Sequence, residues 1–544
     1  MLRITELKLP LDHTEAELKT AIAKYLGIAE ADIASHLVYK RSFDARKSQM
    51  QLAYIIDLDV GSLEKKLLAK FKDDSHVLPT PDTSYHFVGQ APAQLSHRPI
   101  VVGFGPCGIF AALILAQMGF KPIVLERGKK VRERTQDTWG LWRKNTLNPE
   151  SNVQFGEGGA GTFSDGKLYS QIKDPRHLGR KVLTEFVKAG APEEILYIAK
   201  PHIGTFKLVG MVEKMRAEIE SLGGEIRFQQ RVDDLILEDT PDGNKQIRGV
   251  RVTELGVEGH PSSEILSEHV VIALGHSARD SFAMMHERGV FMEAKPFSVG
   301  FRIEHPQSLI DKARWGKYAG HPILGAADYK LVHHAANGRA VYSFCMCPGG
   351  TVVAATSEEG RVVTNGMSQY SRNERNANSG MVVSINPSDY PGGAMAGIEF
   401  QRALESHAYV LGGGNYNAPA QLVGDFLAGR ASKDVGTVEP SYKPGVNWTD
   451  LASALPEYAI SAMREALPEF GKKIRGYDMH DAVLTGVETR TSSPLRITRG
   501  DDCQSLNVRG LYPAGEGAGY AGGILSAGVD GIKVAEALAQ DLLS

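Results

Sequence analysis

Hydrophobic and polar positions change their spacing along the chain, and the first 72 residues form one consistent block. Apolar alternation predicts strands at RITELKL, HLVYKRSF and MQLAYIIDLDV, while helical spacing predicts helices at EAELKTAIAKYLG and SLEKKLLAKF. The order β-α-β-β-α is typical of a ferredoxin-like α+β module, which we predict for residues 1–72. The proline-rich residues 73–98 are predicted to be a linker.

From residue 99 onward the pattern is that of an α/β protein. PIVVGFGPCGIFAALILAQMGFKPIVLERG predicts a buried strand, a glycine turn, an apolar helix and a second strand, and LYPAGEGAGYAGGILSAGVDGIKVAEALAQDLL ends the chain with another strand, turn and helix. Between about 300 and 480 the pattern is mixed. It predicts strands at AVYSFCM and TVVAAT and helices near 397–410, 419–428 and 456–466.

Length and composition are those of a multidomain globular protein. The chain has 544 residues, a net charge of −3 and four cysteines, too few for a disulfide framework. No signal-peptide core is visible at the N-terminus, and no apolar run approaches the ~18 residues of a membrane span. We therefore expect a cytoplasmic protein with a small-molecule substrate, no membrane partner and no preference for nucleic acid.

The first chemical motif is the glycine turn after the strand at residue 99. Gly103, Gly105 and Gly108 have the GxGxxG spacing that brings a pyrophosphate close to a helix N-terminus, and Glu126 closes the second strand. A carboxylate at that place accepts hydrogen bonds from both ribose hydroxyls and repels a 2′-phosphate, which argues against NADP. The motif alone separates neither FAD from NAD nor a nucleotide loop from a packing turn.

Two further glycine-rich stretches favour a flavin. FGEGGAGTFSDGKL, residues 155–168, contains five glycines and can supply backbone groups along a ribityl chain and ring. Near the C-terminus, Gly515-Glu516-Gly517 follows a strand, and Gly522 and Gly523 precede a helix that begins near Ile524. A helix N-terminus directed at the pyrimidine edge of a flavin would stabilise negative charge on the reduced ring.

These three elements resemble the FAD-binding fold of glutathione-reductase-type and fumarate-reductase-type flavoproteins. With VIALGHSARD (271–280) and GVETRTSSPLRI (486–497), they resemble a family of uncharacterised bacterial FAD-dependent dehydrogenases over roughly residues 99–544. The third motif carries Glu516 where such proteins usually have Asp. The motifs and the resemblance together indicate non-covalent FAD held by Gly103, Gly105, Pro106, Cys107, Gly108, Glu126, Arg127, Gly158, Gly159, Gly161, Thr162, Val232, Gly275, His276, Gly515, Glu516, Gly522, Gly523 and Ile524.

The resemblance implies an α/β fold in which a Rossmann-like FAD-binding domain carries an inserted substrate or cap domain, preceded by the small N-terminal module. The predicted boundaries are 1–72 for the module, 73–98 for the linker, 99–300 and 480–544 for the two parts of the FAD-binding domain, and 301–479 for the cap.

The stretch GVETRTSSPLRITR is the best candidate for the substrate side. An arginine there can clamp a carboxylate with two parallel hydrogen bonds, so the substrate candidates are Arg490, Thr491, Ser492 and Ser493. An internal salt bridge of Arg490, for instance with Glu488, is an equally good interpretation. No catalytic residue stands out, and the candidates for that role are Arg490, Glu488 and Ser492. His276 is a weaker candidate for a proton donor than for a structural histidine.

The cysteines carry a further question. Cys345 and Cys347 lie on one face of a predicted strand, where a disulfide between them would be strained, so core thiols are favoured over an active dithiol. The helix N-terminus should lower the pKa of Cys107, although bound FAD would shield its thiol. No metal-ligand spacing is present, so no metal site is predicted.

The function that follows is an FAD-dependent oxidoreductase that transfers a hydride between the flavin and an unidentified substrate. That substrate would be anionic if Arg490 binds a carboxylate. The enzyme's electron donor would be that substrate, NAD(P)H or a partner protein. Two alternatives remain. One is an NAD-linked dehydrogenase, and the other is a flavin-containing RNA-binding or RNA-modifying protein that uses the basic hairpin KRSFDARK.

Overall fold

The computed structural model describes residues 1–45 and 49–544. Its strands are β1 Leu2–Pro10, β2 Ser35–Asp44, β3 Gln51–Asp59, β4 Val77–Pro79, β5 Ile100–Val102, β6 Ile123–Glu126, β7 Glu225–Phe228, β8 Gln230–Asp239, β9 Lys245–Glu254, β10 Ser262–Leu266, β11 Val270–Ile272, β12 Met292–Ala294, β13 Phe297–Pro306, β14 Val332–His334, β15 Ala340–Ala354, β16 Thr364–Ser368, β17 Asn376–Ile385, β18 Ala418–Leu422, β19 Val446–Trp448, β20 Val483–Glu488, β21 Leu495–Ile497, β22 Val508–Arg509 and β23 Leu511–Pro513.

The α-helices are α1 Glu15–Leu26, α2 Glu64–Lys70, α3 Pro106–Gln117, α4 Val131–Lys144, α5 Leu178–Lys188, α6 Thr205–Ser221, α7 Arg279–Glu287, α8 Gln307–Trp315, α9 Ala396–Leu411, α10 Val423–Ala428, α11 Glu457–Lys473 and α12 Ile524–Leu543. The chain divides into two compact units, one of Met1–His86 with Leu168–His202 and one of Phe87–Lys167 with Ile203–Ser544.

The first unit contains an antiparallel sheet in the order β2-β3-β1-β4. Helix α1 begins at a capping box formed by Thr14 and Glu17 and ends at Gly27, whose φ is +68°. The five elements expected within residues 1–72 are confirmed. The predicted linker contains one more strand, β4, which adds an edge to β1.

Residues 168–202 belong to this first unit, although their position in the sequence suggested the first part of the FAD-binding domain. The backbone of Arg41 explains the difference, because its N–H donates to the carbonyl of Tyr197 at 2.6 Å and its carbonyl accepts from the N–H of Ala199 at 2.9 Å. The domain boundaries themselves stay a prediction. Arg46 and Lys47, two of the basic residues in the hairpin KRSFDARK, lie outside the described residues.

The second unit contains a parallel five-stranded sheet in the order β23-β11-β5-β6-β7. Helix α3 is almost entirely buried and packs along α12. At their contact a side chain on Gly531 would come within 2.3 Å of the Cys107 carbonyl oxygen. Because β23, β11 and β5 are adjacent and parallel, their carboxyl ends lie at the same edge of the sheet. Each of the three strands is followed by a glycine turn.

A second, eight-stranded sheet has the order β14-β15-β17-β13-β20-β18-β19, with β16 paired to β15. Strand β20 pairs with β13 and β18, although the sequence assigns its residues to the C-terminal part of the FAD-binding domain. Its six residues are all buried. The predicted helix at 419–428 is wrong in its first half, because Ala418–Leu422 is a strand and the helix begins at Val423.

Across residues 1–45 and 49–544, no helix combines the length and apolar character needed to cross a membrane. The same residues contain no group of three or more His, Cys, Asp or Glu side chains arranged to hold a metal ion.

Candidate functional site

The turn between β5 and α3 uses its three glycines in different ways. Gly103 has φ +99°, and a Cβ there would lie 2.5 Å from the Ala273 carbonyl oxygen; a Cβ on Gly108 would lie 1.9 Å from the Gly103 carbonyl oxygen. Gly105 has φ −81°, and its Cβ would make only an ordinary contact, 3.5 Å from the Cα of Gly159. The fold therefore requires glycine at two of these positions. At Gly105 it leaves space beside a helix N-terminus that no side chain caps.

Glu126 is buried at the end of β6 and accepts three backbone hydrogen bonds. Its Oε2 accepts from the N–H of Phe104 at 2.9 Å, and its Oε1 accepts from the N–H groups of Gly128 at 2.9 Å and Gly156 at 3.0 Å. The carboxylate thus joins the turn after β5 to the glycine-rich stretch 155–168. Binding of ribose hydroxyls by Glu126 stays a prediction.

The glycine-rich stretch lies with its backbone directly against this turn. The N–H of Gly158 donates to the Phe104 carbonyl at 2.9 Å. Gly159 has φ +63°, and a Cβ there would lie 2.8 Å from the Cα of Gly105. A Cβ on Gly128 would lie 2.5 Å from the Cα of Gly156. These glycines permit backbone-to-backbone packing that no other residue allows.

Arg134, on α4, binds backbone carbonyls at the start of this stretch. The sequence pattern did not predict this role. Arg134 is fully buried, and its guanidinium donates to the carbonyls of Asn152 at 2.7 Å, Val153 at 2.6 Å and Glu157 at 2.7 Å. Burial lowers the pKa of Arg134 to about 10, so it keeps its charge at neutral pH. The Glu157 carboxylate in turn accepts from the N–H of Val131 at 2.8 Å.

The C-terminal motif meets the other two. The N–H of Gly515 donates to Asp530 Oδ2 at 2.8 Å, and a Cβ on Gly515 would lie 2.9 Å from the Cβ of Cys107. A Cβ on Gly161 would lie 3.0 Å from Ile524, at the start of α12, and 3.7 Å from Pro106, at the start of α3. The N-termini of α3 and α12 and the glycine-rich stretch therefore come together at one place, which we call the glycine cradle (residues 103–108, 155–162 and 515–524).

At three positions in or next to the cradle, neither the surrounding atoms nor the backbone conformation requires a glycine. Gly275, Gly522 and Gly523 have no atom within 4 Å of an added Cβ, and none has a positive φ. Gly523 is the N-cap residue of α12, and no side chain caps the N-terminus of that helix. Open space beside uncapped helix N-termini is what a bound dinucleotide requires, so the residues present fit FAD.

A cavity of about 320 Å³ lies beside Arg127, the residue after Glu126. Arg127 is fixed by Glu150 at 2.8 Å and by both oxygens of Asp280 at 2.8 and 2.9 Å. The further lining includes Lys129, Arg231, Thr253 and His260. Val232 is buried in β8 opposite Val252.

Two cofactor-side residues have specific neighbours that bear on their chemistry. His276 Nδ1 lies 3.0 Å from Glu516 Oε1, which pairs the histidine with the acidic residue of the third motif. The expected lowering of the Cys107 pKa is wrong. Burial raises it well above the ordinary thiol value, and the nearby Asp530 carboxylate adds to that effect. Thr162 is buried and its carbonyl accepts from the Thr205 hydroxyl at 2.7 Å.

On the predicted substrate side, Arg490 is paired inside the protein. Its Nε and Nη2 donate to the two oxygens of Glu405, each at 3.1 Å, and its Nη1 donates to the hydroxyls of Ser357 at 2.7 Å and Ser277 at 2.9 Å. Arg279 binds the same carboxylate at 2.8 and 2.9 Å. Burial alone would raise the pKa of Glu405, but the two arginines hold it well below its ordinary value.

Most sequence neighbours of Arg490 also form ion pairs or hydrogen bonds within the protein. Glu488 pairs with Arg302, at 2.8 Å from Nε, and burial raises the pKa of Glu488 to about 7. The Thr491 hydroxyl bonds to the backbone of Ser298, and the Ser493 hydroxyl donates to the Gly517 carbonyl at 2.9 Å. Ser492 is partly exposed. The geometry favours the internal salt bridge for Arg490, and the substrate roles of these residues stay predictions.

Comparison with known proteins gives one relative along almost the whole chain. An uncharacterised protein of Clostridium beijerinckii (strain ATCC 51743 / NCIMB 8052) is 47% identical over 537 residues, which cover 98% of each chain. The family described as "FAD-dependent protein, C-terminal domain-like" matches residues 296–491, and a domain of unknown function matches residues 1–60.

Solved structures share less with the chain. A flavoprotein/dehydrogenase from Cytophaga hutchinsonii is 11% identical at a TM-score of 0.34, with 82% of this chain and 78% of that one covered. The open conformation of a flavocytochrome c3 fumarate reductase is 11% identical at a TM-score of 0.35, covering 82% and 79%. Quinol fumarate reductase of E. coli is 13% identical at a TM-score of 0.35, covering 82% and 69%.

Proposed function

The chain belongs to one family with the Clostridium relative and matches the FAD-dependent protein family over residues 296–491, and from that premise we propose that it is an oxidoreductase that transfers a hydride between FAD and a substrate. The observation that supports this function is the glycine cradle. Two helix N-termini without side-chain caps and three glycines with open Cβ positions come together where a dinucleotide would bind.

We propose a separate task for each part of the cradle. The N-terminus of α3, beside Gly105, binds the pyrophosphate, and Glu126 holds the loop in place while accepting from the ribose. Arg127 and Val232 border the adenosine half. Gly275, Gly522 and Gly523 leave room for the flavin half, where the positive end of α12 stabilises negative charge.

FAD, when bound, supplies the capacity to accept or give a hydride. The chain's own part is to orient the cofactor, exclude water and manage protons, and the pair His276–Glu516 is the group of the third motif that can hold a proton, at Nδ1. Because Arg490 is already satisfied by Glu405, a preference for anionic substrates is not part of the proposal.

The finer structural assignments are also proposals. We infer a Rossmann-like FAD-binding domain, supported by the parallel order β23-β11-β5-β6-β7, and a ferredoxin-like N-terminal module, supported by the order β2-β3-β1-β4. We further propose non-covalent FAD, a cytoplasmic location, and NAD(P)H or a partner protein as electron donor. An NAD-linked dehydrogenase would leave the glycine-rich stretch and the C-terminal motif without a role.

The experiment starts from purified protein and denatures it to release the cofactor. We expect free FAD, with no FMN and no flavin retained on the polypeptide. NADH, NADPH and a panel of hydroxy and amino acids are then added without oxygen, and loss of the visible flavin absorbance is followed. A protein that keeps FAD but is reduced by no donor, and after chemical reduction is reoxidised by no organic acceptor, would contradict the oxidoreductase while leaving the cofactor in place.

A further inference from the structure

The C-x-C sequence in β15 does not lie on a regular strand. Cys345 has φ +44°, in the left-handed region that favours glycine. The pairing of β15 with β17 shifts on both sides of Cys347, since Phe344 faces Gly380, Cys347 faces Asn378 and Gly350 faces Asn376. Three residues of β15 thus oppose two of β17 twice in succession, which is a double bulge.

Because of the bulge, the spacing of a regular strand does not apply to the two cysteines. On a regular strand their Cα atoms would lie about 6.5–7 Å apart, at or beyond the limit for a disulfide. In this structure the chain turns at Cys345, where the left-handed φ breaks the extended backbone. The Cys347 sulfur also lies 3.4 Å from the Cys345 carbonyl oxygen. Backbone strain at a reactive side chain is a common feature of functional sites.

Two cationic side chains donate hydrogen bonds to backbone carbonyls of this segment. Arg302, fully buried, donates from Nη1 to the carbonyls of Cys345 at 2.7 Å and Phe344 at 3.3 Å. Lys167 donates from Nζ to the carbonyl of Met346. Asp165 is a nearby negative charge that raises the pKa of both thiols.

The two thiols consequently differ. The neighbouring Cys347 thiol and the charges of Arg302 and Lys167 lower the pKa of Cys345, against the effects of burial and Asp165. The neighbouring Cys345 thiol raises the pKa of Cys347, together with burial. Cys345 is partly exposed and Cys347 is buried, so the thiol with the lowered pKa is the more accessible one.

We propose that Cys345 and Cys347 are a redox-active dithiol that forms a reversible internal disulfide by exchange with a low-molecular-weight disulfide. The Cys345 thiolate attacks one sulfur of that disulfide, forms a mixed disulfide and releases one thiolate. Cys347 then attacks the Cys345 sulfur, its proton passes to a leaving thiolate, and the second small thiol departs. The protein dithiol loses two electrons, and the small disulfide gains them to become two thiols.

The test counts thiols in the full-length protein with FAD bound. Reduced protein is freed of reductant and mixed at about pH 7 with one equivalent of 4,4′-dithiodipyridine. We expect two thiopyridones per chain and a loss of two hydrogens in mass. Trypsin releases residues 340–361 as one peptide with both cysteines, and that peptide should carry the mass loss and resist alkylation.

Single variants separate the two roles. C347S should release one thiopyridone and keep a stable adduct on Cys345, while C345S should react at least about tenfold more slowly. C503S is the matched control, since Cys503 is partly exposed but burial raises its pKa, and it should behave like the wild type. FAD content and melting temperature check that each variant is folded.

A lasting adduct on the wild-type 340–361 peptide, without loss of two hydrogens, would overturn the proposal. So would faster labelling of Cys503 than of Cys345. Both results come from wild-type protein and from thiol chemistry, so they do not depend on any variant folding or on the proposed hydride transfer.

Discussion

The glycine cradle and the cluster around the buried Arg302 in the eight-stranded sheet (Arg302, Glu488, Cys345 and Cys347) are built by opposite means. In the cradle, missing side chains let the backbone of residues 155–162 lie against the turn after β5. In the cluster, the fully buried Arg302 side chain of β13 pairs with the Glu488 carboxylate of β20 and donates to the Cys345 carbonyl of β15. A site made by backbone leaves a glycine spacing in the sequence. A site made by side chains distant along the chain does not.

The largest expected effect concerns Arg134, the buried cation that supports the cradle. Replacing Arg134 by Met leaves the carbonyls of Asn152, Val153 and Glu157 without their buried donor, and we expect the free energy of unfolding to fall by about 3–5 kcal/mol. Chemical denaturation measures it. Arg132→Met, two residues away on the same helix, removes only an exposed pair with Glu213 and should cost about 0.5 kcal/mol. Equal losses in both variants would contradict the supporting role of Arg134.

The pH dependence of stability tests the cluster. The pKa of Glu488 is about 7 in the folded protein and about 4.5 when unfolded, so between these values the folded state holds a proton that the unfolded state releases. This stabilisation is complete below the lower value and is lost as pH rises through the upper one, by about 3 kcal/mol in total. Glu488→Gln should flatten that decline, whereas Glu359→Gln, at an exposed position, should leave it unchanged. An unchanged slope in Glu488→Gln would show that Glu488 is ionised throughout.

Arg490→Lys tests whether this arginine supports the structure or the substrate. Lysine cannot reach both oxygens of Glu405 together with the hydroxyls of Ser277 and Ser357, so we expect a loss of about 2 kcal/mol of stability with FAD retained. Melting temperature, FAD content and rate of flavin reduction are measured together. Arg496→Lys, at an exposed position six residues along the chain, should change stability by less than about 0.5 kcal/mol. A stable Arg490→Lys protein whose flavin is reduced slowly would favour the substrate role instead.

The smallest effect is on cofactor affinity alone. A methyl group on Gly105 makes only an ordinary contact with Gly159, so Gly105→Ala should fold but intrude where the pyrophosphate binds. We expect FAD affinity to fall about 10- to 100-fold, or roughly 1.4–2.7 kcal/mol. Titration of cofactor-free protein with FAD measures this. Gly210→Ala, in α6 with no atom near the added Cβ, should bind FAD normally. Equal affinity in the two variants would place the pyrophosphate elsewhere.

Local patterns predicted much of the fold. The five elements of residues 1–72, the strand–turn–helix at residue 99 and the final helix all follow from apolar spacing, and the structure confirms them. Strand β4 was missed because three residues that end at a proline carry no periodic signal. The helix expected at 419–428 begins late because APAQL pairs with β19 and β20, and such pairing overrides local propensity.

The candidate site also has parts that local sequence patterns predicted and parts that they did not. The glycines of the cradle were found from their spacing, and the structure brings them together. The partner of Arg490 was not found, because Glu405 is 85 residues away and nothing in either segment marks the other. One signal was available for the Arg302 cluster, since Arg302 and Glu304 interrupt the otherwise apolar strand FSVGFRIEHP, and charges inside such a strand need buried partners. The bulge at Cys345 had no signal of its own.

Residues 168–202 belong to the first unit although they follow part of the second unit in the sequence, and this order affects folding during synthesis. At the base of this segment, Leu168 N–H donates to the Pro201 carbonyl at 2.9 Å and Ile203 N–H donates to the Gly166 carbonyl at 3.1 Å, so the segment leaves and returns at neighbouring points. The ribosome therefore completes β1 to β4 long before it has synthesised the residues that bond to Arg41. During synthesis the first sheet must wait, with that backbone uncovered, while more than a hundred further residues emerge. Domains of a nascent chain generally fold from the N-terminus as units, and here the N-terminal unit closes only after part of the next one exists.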